Sequence, residues 1–571
     1  MKKFMYVFAI ALVALAACSK KAEPDPEPGP GPGPGPEPQP QTELTLLSDA
    51  TVNVGAESEI VTIKFTSTAA WTAKAEGDYI VLKDNGGVAG ENIELKATVQ
   101  SLPEEENGRV GGVAIKSGEL EIGVVIMQGN VFFIVPEELT VGVEGGKAEF
   151  QVVSNLDYEV TIYESFDWAP ATYDKASGKG YFTVAANGGY DLRYAYVKFT
   201  MSAIQDPVYD EETGEPTGET QDHVERIYVY QEGHAKATSV GLPANFDVAN
   251  SDEPVHDATV SIAHFNGKLL VCDATQIFEV NPATGDFSPF AVPEGVPVQS
   301  ITNDDAGNLI FAPLMEYGAA GKIYAAKAND NSLQNAQVII PWVNDAWSGS
   351  RGADKVAARG DVFGNGIVTM IYGGVGSYGG LTYCLVWEIK DGAADIFDYN
   401  EWNKSTHRIN NDAWLTTPEL GDDLWLSNRA VFAPAGPAVS DGFFYAGYDG
   451  LYTLFYYDGT EWTGIAEVGN WAYAPNGLAT IEWNGKKILA CVSMAYFPEW
   501  GMPSELYIVD VTDPKNPEIL SASQFDGPHE VTGGQESATT DVVLSVEGND
   551  LVVDVVDSSW GVLLHAVYPK L

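Results

Sequence analysis

Tryptophan recurs along this chain in polar, turn-rich company. "PWVNDAWSGSRG" holds Trp342 and Trp347, "YNEWNKSTHRINNDAWL" holds Trp402 and Trp414, "GNWAYAPNG" holds Trp471, and "MAYFPEWGMP" joins Tyr496 to Trp500. An indole outside an apolar run offers a flat wall, and amides, carboxylates and guanidinium groups beside it offer hydrogen bonds. One apolar wall with a few placed polar groups is the make-up of a small-molecule site. A sugar ring, apolar on its face and hydroxylated at its rim, fits that mixture. The residues that would supply it are Trp347, Trp402, Trp414, Trp471 and Trp500 as stacking surfaces, with Asp345, Asp412, Arg351 and Asn476 as hydrogen-bonding partners. The tetrapeptide "NDAW" occurs twice, at 344–347 and 411–414, and predicts equivalent loops in neighbouring repeats. Trp387, Trp483 and Trp560 lie inside or beside apolar runs and are expected in the core.

Other chemistries find less support. The seven histidines, among them His264, His407, His529 and His565, form no HxxxH or HxH pair, and no GxSxG elbow is present. "GGVGSYGG" at 373–380 has no helix after it and reads as a loop rather than a dinucleotide fingerprint. Cys18, Cys272, Cys384 and Cys491 show no CxxC spacing, so no metal site follows from them, and the last three sit in apolar runs where a thiol packs as a small hydrophobe. No cofactor, metal or catalytic residue is expected. With 31 basic and 80 acidic side chains the formal charge is −49, which repels a phosphate backbone and excludes nucleic acid as a partner.

The elements that must position the tryptophans are strands. Hydrophobic residues make up 45% of the 571, glycines number 59, and valine, threonine and tyrosine are plentiful, while long helical stretches are missing, so the chain reads as all-β and multidomain. At the N-terminus, residues 1–17 have a basic start at Lys2 and Lys3 and an apolar stretch too short for a permanent span, the pattern of a signal peptide. Leu15-Ala16-Ala17-Cys18 resembles the lipobox of bacterial lipoproteins, which implies lipidation of Cys18 and a membrane anchor without a spanning helix. After it, residues 18–42 alternate proline with glycine and glutamate, a stretch that favours extended polyproline II and predicts a stalk of up to roughly 60 Å.

Residues 43–130 and 131–234 read as two related β-sandwiches. "IVTIKFTSTAAWTAKA" aligns with "KAEFQVVSNLDYEVTI", setting Trp71 against Tyr158, Arg109 against Arg193 and Gln128 against Gln231. The second copy carries an acidic insertion, "DPVYDEETGEPTGETQ". An early aromatic on a strand, an arginine before a late strand and a final strand ending in Gln-x-Gly or Gln-Gly resemble the BACON family. That resemblance implies immunoglobulin-like sandwiches near the N-termini of Bacteroidetes surface proteins. The family name implies carbohydrate binding, whereas the residues themselves read as core anchors and turn fixings, and a spacer role is expected.

Residues 238–571 show about six units, five to seven allowed, of strand, turn, apolar strand, loop and strand, the grammar of β-propeller blades. The stretch around 400–428 leaves room for an extra strand pair or a long loop. "LYIVDVTDPKNPEIL" resembles the LVIVD repeats of β-propellers, which makes Asp510, Asp513 and Pro514 an inter-strand turn. The whole order resembles surface glycan-binding proteins of polysaccharide-utilisation systems. The expectation is a non-catalytic outer-membrane lipoprotein, exposed at the cell surface, that binds glycan through propeller loops, with outer-membrane proteins as further partners. A propeller enzyme acting on polysaccharide, or a protein-binding adhesion module, is the alternative.

Overall fold

The computed structural model describes residues 42–571, apart from 105, 211–214, 244–259, 274–275, 297, 314–319, 331, 344–349, 375–382, 395–406, 411–430, 447–452, 470–472, 496–501 and 527–539. The signal peptide, Cys18 and the proline-rich stretch therefore lie outside the described residues. The described residues are all-β, and no helix among them is long and apolar enough to cross a membrane. They divide into two units, one of residues up to Ala186 with Arg193–Gln231, the other of Asn187–Leu192 with Glu232–Leu571.

The first unit holds two sandwiches. In each, strict alternation buries one face: along Glu59–Ser67 the side chains of Val61, Ile63 and Phe65 point inward, and their neighbours outward. Trp71 anchors the first core, its ring edge-on to Phe65 at 5.0 Å while Nε1 donates to the Val88 carbonyl at 3.1 Å. Tyr158 takes the same place in the second, packed against Phe132 and Phe199.

The repeated arginine and glutamine form one device twice. Arg109 Nε donates to Gln128 Oε1 at 2.8 Å, and Arg193 Nε to Gln231 Oε1 at 2.9 Å. Each arginine's Nη2 then reaches two consecutive carbonyls, those of Gln100 and Ser101 in the first copy and of Ala185 and Ala186 in the second. Each guanidinium also lies over an aromatic ring, Tyr79 at 3.9 Å and Trp168 at 4.1 Å. The buried glutamine amides close the same loops from inside, Gln231 donating to Gly142, Val143 and Ala185. The strands Arg193–Tyr209 and Pro216–Gln231 extend into the acidic insertion from both sides and pair with each other there.

In the second unit the described residues form six antiparallel sheets in chain order, here blades one to six. Their first strands are Ser261–Phe265, Ser300–Asn303, Ser350–Gly360, Val431–Pro434, Tyr473–Trp483 and Thr540–Glu547. Each first strand packs on the next, and that of blade six packs on that of blade one, which makes a closed ring. Apolar layers fill the seams; Ile310 and Met370 share the layer between blades two and three, and Val271 and Val556 that between six and one. Blade six is completed by Lys236–Gly241, which pairs with Val562–Tyr568, so the strand that enters the ring also closes it. Closure packs every described blade between two others and leaves only the outer strands as edges.

Trp387, Trp483 and Trp560 are buried, as are Cys272 and Cys491, whose thiol burial pushes up to about 12. Asp510 and Asp513 hold the turn after Ser504–Asp510, accepting from Thr512 N and Lys515 N.

Gln231→Ala is expected to lower the stability of the second sandwich by about 3 kcal/mol, because it strands buried carbonyls and the Arg193 guanidinium together. Denaturant unfolding followed by tyrosine and tryptophan fluorescence measures it; an unchanged transition would mean the glutamine is dispensable.

Candidate functional site

Two cations from one strand cross the ring axis. Ser350–Gly360 is the first strand of blade three, and alternation places Lys355 and Arg359 on the same face. Irregularities in pairing help to aim the groups that meet there: the register shifts between Ala353 and Lys355, and on blade five between Pro475 and Gly477. Such bulges turn a side chain out of the regular ladder.

Lys355 Nζ donates to Asn476 Oδ1 at 2.8 Å, to the Asn476 carbonyl, and to the Thr540 carbonyl at 2.6 Å. Asn476 Oδ1 also accepts from Thr540 N at 2.7 Å. Blades three, five and six are thus joined through one ammonium group. Beside it Asp541 accepts from Ile262 N at 3.0 Å, which ties blade six to blade one. Burial pushes the Asp541 carboxyl up to about 6, and the charge of Lys355 works against that rise. Gly477 lets blades five and six approach at this level, since a Cβ there would stand 3.2 Å from the Asp541 Cα.

Arg359 makes the second crossing. Its Nε donates to Asp305 Oδ1 at 2.7 Å and its Nη1 to Thr480 Oγ1, while Asp305 Oδ2 accepts from Gly360 N. Asp304, next along, is buried and accepts from Asn308 N and Val362 N, both at 2.8 Å. The end of the ring where first strands turn into second strands is therefore cross-linked between blades two and three by carboxylates.

The described strand ends that flank most of the predicted site residues lie at the other end. Neighbouring strands in every blade are antiparallel, so the strand ends that lead from second to third strand, and from fourth strand to the next blade, all lie on one side of the ring. Trp347, Trp414 and Trp471 fall between a fourth strand and the next first strand, and Trp500 falls between the second and third strands of blade five. Asp345 and Asp412 go with Trp347 and Trp414. All these residues lie outside the described ones, but the described strand ends around them share that side. Trp402 differs: it falls in 395–406, between Ala393–Ala394 and His407–Asn410, which both pair with Tyr383–Lys390 and so interrupt the outer strand of blade three. Arg351 lies near the start of its strand, on the shared side. Asn476 is at that level too, but its side chain is buried and its carbonyl oxygen bonds to Lys355 and Thr540, so it braces the axis.

The two "NDAW" segments hang from equivalent points. Val343, the last residue before the first, pairs with Ala320, the first residue of blade two's third strand. Asn410, the last before the second, pairs with Tyr383, the first residue of blade three's third strand.

Sequence reasoning missed a cluster at the seam of blades six and one. His264 Nε2 lies 2.8 Å from Asp554 Oδ2, and His565 Nδ1 lies 2.7 Å from Asp554 Oδ1. Burial works to raise the Asp554 carboxyl, yet the two imidazole bonds outweigh it and hold the group below its ordinary value. The bond to Asp554 raises His565 in turn. The available signal was Asp554 itself, a carboxylate inside the apolar run "LVVDVVD". Among the described residues no group of three histidine, cysteine or carboxylate side chains could hold a metal ion.

Residues 292–519 match a family model described as a domain of unknown function, DUF8500. None of the curated proteins compared with the chain matches it. Among solved structures, the chain is similar to an auxiliary nutrient binding protein from Bacteroides thetaiotaomicron, at 11% identity over 77% of this chain and 98% of that one, with a TM-score of 0.33. A quinonprotein alcohol dehydrogenase-like protein from the same organism is 9% identical over 84% of this chain and 96% of that one, with a TM-score of 0.23. The match to a GH5 xyloglucanase from Bacteroides ovatus, solved with a XXXG heptasaccharide, covers 18% of this chain and 22% of that one, at 15% identity and a TM-score of 0.14.

A pH dependence follows from Asp541. With its folded value near 6 and an ordinary value of 3.8, the folded protein keeps a proton that the unfolded chain has released, so this group's contribution to stability falls as pH rises from about 4 to 6. Asp541→Asn should gain melting temperature relative to the parent as pH is raised through that window, and Lys355→Met, which removes the charge opposing the rise, should go on losing it above about pH 6. A difference between Asp541→Asn and the parent that is constant with pH would contradict the assignment.

Proposed function

We propose that the chain is a non-catalytic surface lipoprotein that binds glycan at the side of the ring where the strand ends flanking the tryptophan segments lie. The observation that carries this reading is the pair of "NDAW" segments at register-equivalent strand ends of successive blades, on the same side as the strand ends around Trp471 and Trp500. A repeated indole and carboxylate on one rim suits a polymer that offers the same ring at regular intervals. The titratable groups described along the axis are committed to bracing strands, which favours recognition over chemistry there.

In this reading Cys18 carries the lipid, the proline-rich stretch is the stalk, and the two BACON-like sandwiches add reach, so that the ring meets polysaccharide outside the outer membrane. Net charge of −49 favours a neutral glycan at the ring over an anionic one.

Affinity electrophoresis in gels containing neutral polysaccharides tests the proposal. Retardation by at least one polymer is expected, with Trp347→Ala or Trp414→Ala weakening it roughly tenfold, about 1.4 kcal/mol. Trp402→Ala, in the interrupted outer strand, should weaken it less. No retardation across the panel, or release of reducing ends from any polymer, would overturn the proposal.

A further inference from the structure

The outward face of the second sandwich carries an aromatic and cationic platform that the first sandwich lacks. The register fixes the comparison, because both copies begin from the same arginine–glutamine pair, Arg109 opposite Gln128 and Arg193 opposite Gln231. The next outward pairs in the first copy are Val110 with Met127, Gly112 with Val125 and Ala114 with Gly123. In the second copy the same places hold Tyr194 with Tyr230, Tyr196 with Tyr228, and Lys198 with Arg226.

These two faces have different fates. In the first copy Val110, Val125 and Met127 are covered by Val131, Phe133 and Val153 at the junction of the two sandwiches. In the second the tyrosines pack on one another: Tyr194 is exposed, Tyr228 and Tyr230 are half-buried, and Tyr196 is held edge-on between Tyr163 and Phe166 beneath them. Tyr228 and Tyr230 stack at 5.8 Å with 20° between planes, Tyr196 lies 5.4 Å from Tyr228, and Tyr194, 53% exposed, lies 6.2 Å from Tyr230. The Arg226 guanidinium sits 5.7 Å from the Tyr196 ring.

The cationic pair is the telling part. Like charges directly opposite on neighbouring strands destabilise a sheet. Here lysine faces arginine in a chain with only 31 basic residues against 80 acidic ones. Among the described residues neither Lys198 nor Arg226 has a carboxylate within ion-pair distance. Two unneutralised cations beside stacked phenol rings complement a polymer of flat rings bearing sparse negative charge. A dense polyanion such as nucleic acid would meet the chain's overall negative field with only two cations to offset it.

We propose that this face of the second sandwich is a binding platform for acidic polysaccharide, with Tyr194, Tyr228 and Tyr230 meeting sugar rings, Tyr196 supporting them from below, and Lys198 and Arg226 receiving the carboxylate or sulfate groups. It is separate from the tryptophan segments of the ring and does not depend on them.

The test is affinity electrophoresis of the full chain at low salt in gels containing hyaluronan, gellan or xanthan, whose charges fall on only some of the sugar rings, with polyglutamate as the comparison polymer. Retardation by at least one of the three glycans is expected, and it should fall as salt is added. The double variant Lys198→Gln/Arg226→Gln should weaken it roughly tenfold without lowering the melting temperature, since it removes a like-charge pair. Tyr228→Ala should weaken it too, whereas Trp347→Ala should leave it unchanged, which keeps this outcome distinct from that of the ring. No retardation by any of the three, retardation unaltered in the double variant, or equal retardation by polyglutamate would overturn the proposal.

Discussion

The ring is held across its axis by one ammonium group. Lys355 reaches from blade three to acceptors on blades five and six, which lie 121 and 185 residues away in the chain. A polar group at the centre of a ring of sheets must find partners there, since a buried donor left unpaired costs about 1–3 kcal/mol. Three acceptors for three ammonium protons meet that demand, and the bulges near Lys355 and Asn476 help to make the geometry possible. Arg359 repeats the device nearer the other end, toward Asp305 and Thr480. The seams supply apolar burial between neighbours, and the two cations supply links between blades that are not neighbours.

Closure gives those links their meaning. Each seam joins successive sheets, and the last is completed by Lys236–Gly241 from the beginning of the ring. The blade six to blade one seam also carries the polar contacts of Asp541 with Ile262 and of Asp554 with His264 and His565. Polar contacts therefore brace the ring at both levels, around Asp541 and Lys355 and around Asp305 and Arg359.

The all-β class, the repeat of the sandwiches and the position of most blades were legible because alternation and turn residues are local signals. Arg109 with Gln128 and Arg193 with Gln231 were found by alignment alone, and their shared geometry explains why both residue types recur. The closing strand was not legible as part of blade six, since "KATSVG" is short and its partner lies at the far end of the chain. Fourth strands such as Glu518–Phe525 were missed because an outer strand has little core to bury and shows weak alternation. Asn476 looked like a ligand group because it stands in a turn-like stretch; its burial depends on Lys355, which no local pattern reveals. The same holds for His264 and Asp554, 290 residues apart.

Lys355 couples blade three to blade five, which is not its neighbour in the ring. Hydrogen exchange of the full chain, with Lys355→Met compared to the parent, tests it most directly. Faster exchange is expected in Tyr473–Trp483 and Thr540–Glu547 as well as in Ser350–Gly360; a change confined to Ser350–Gly360 and its own sheet would contradict the coupling.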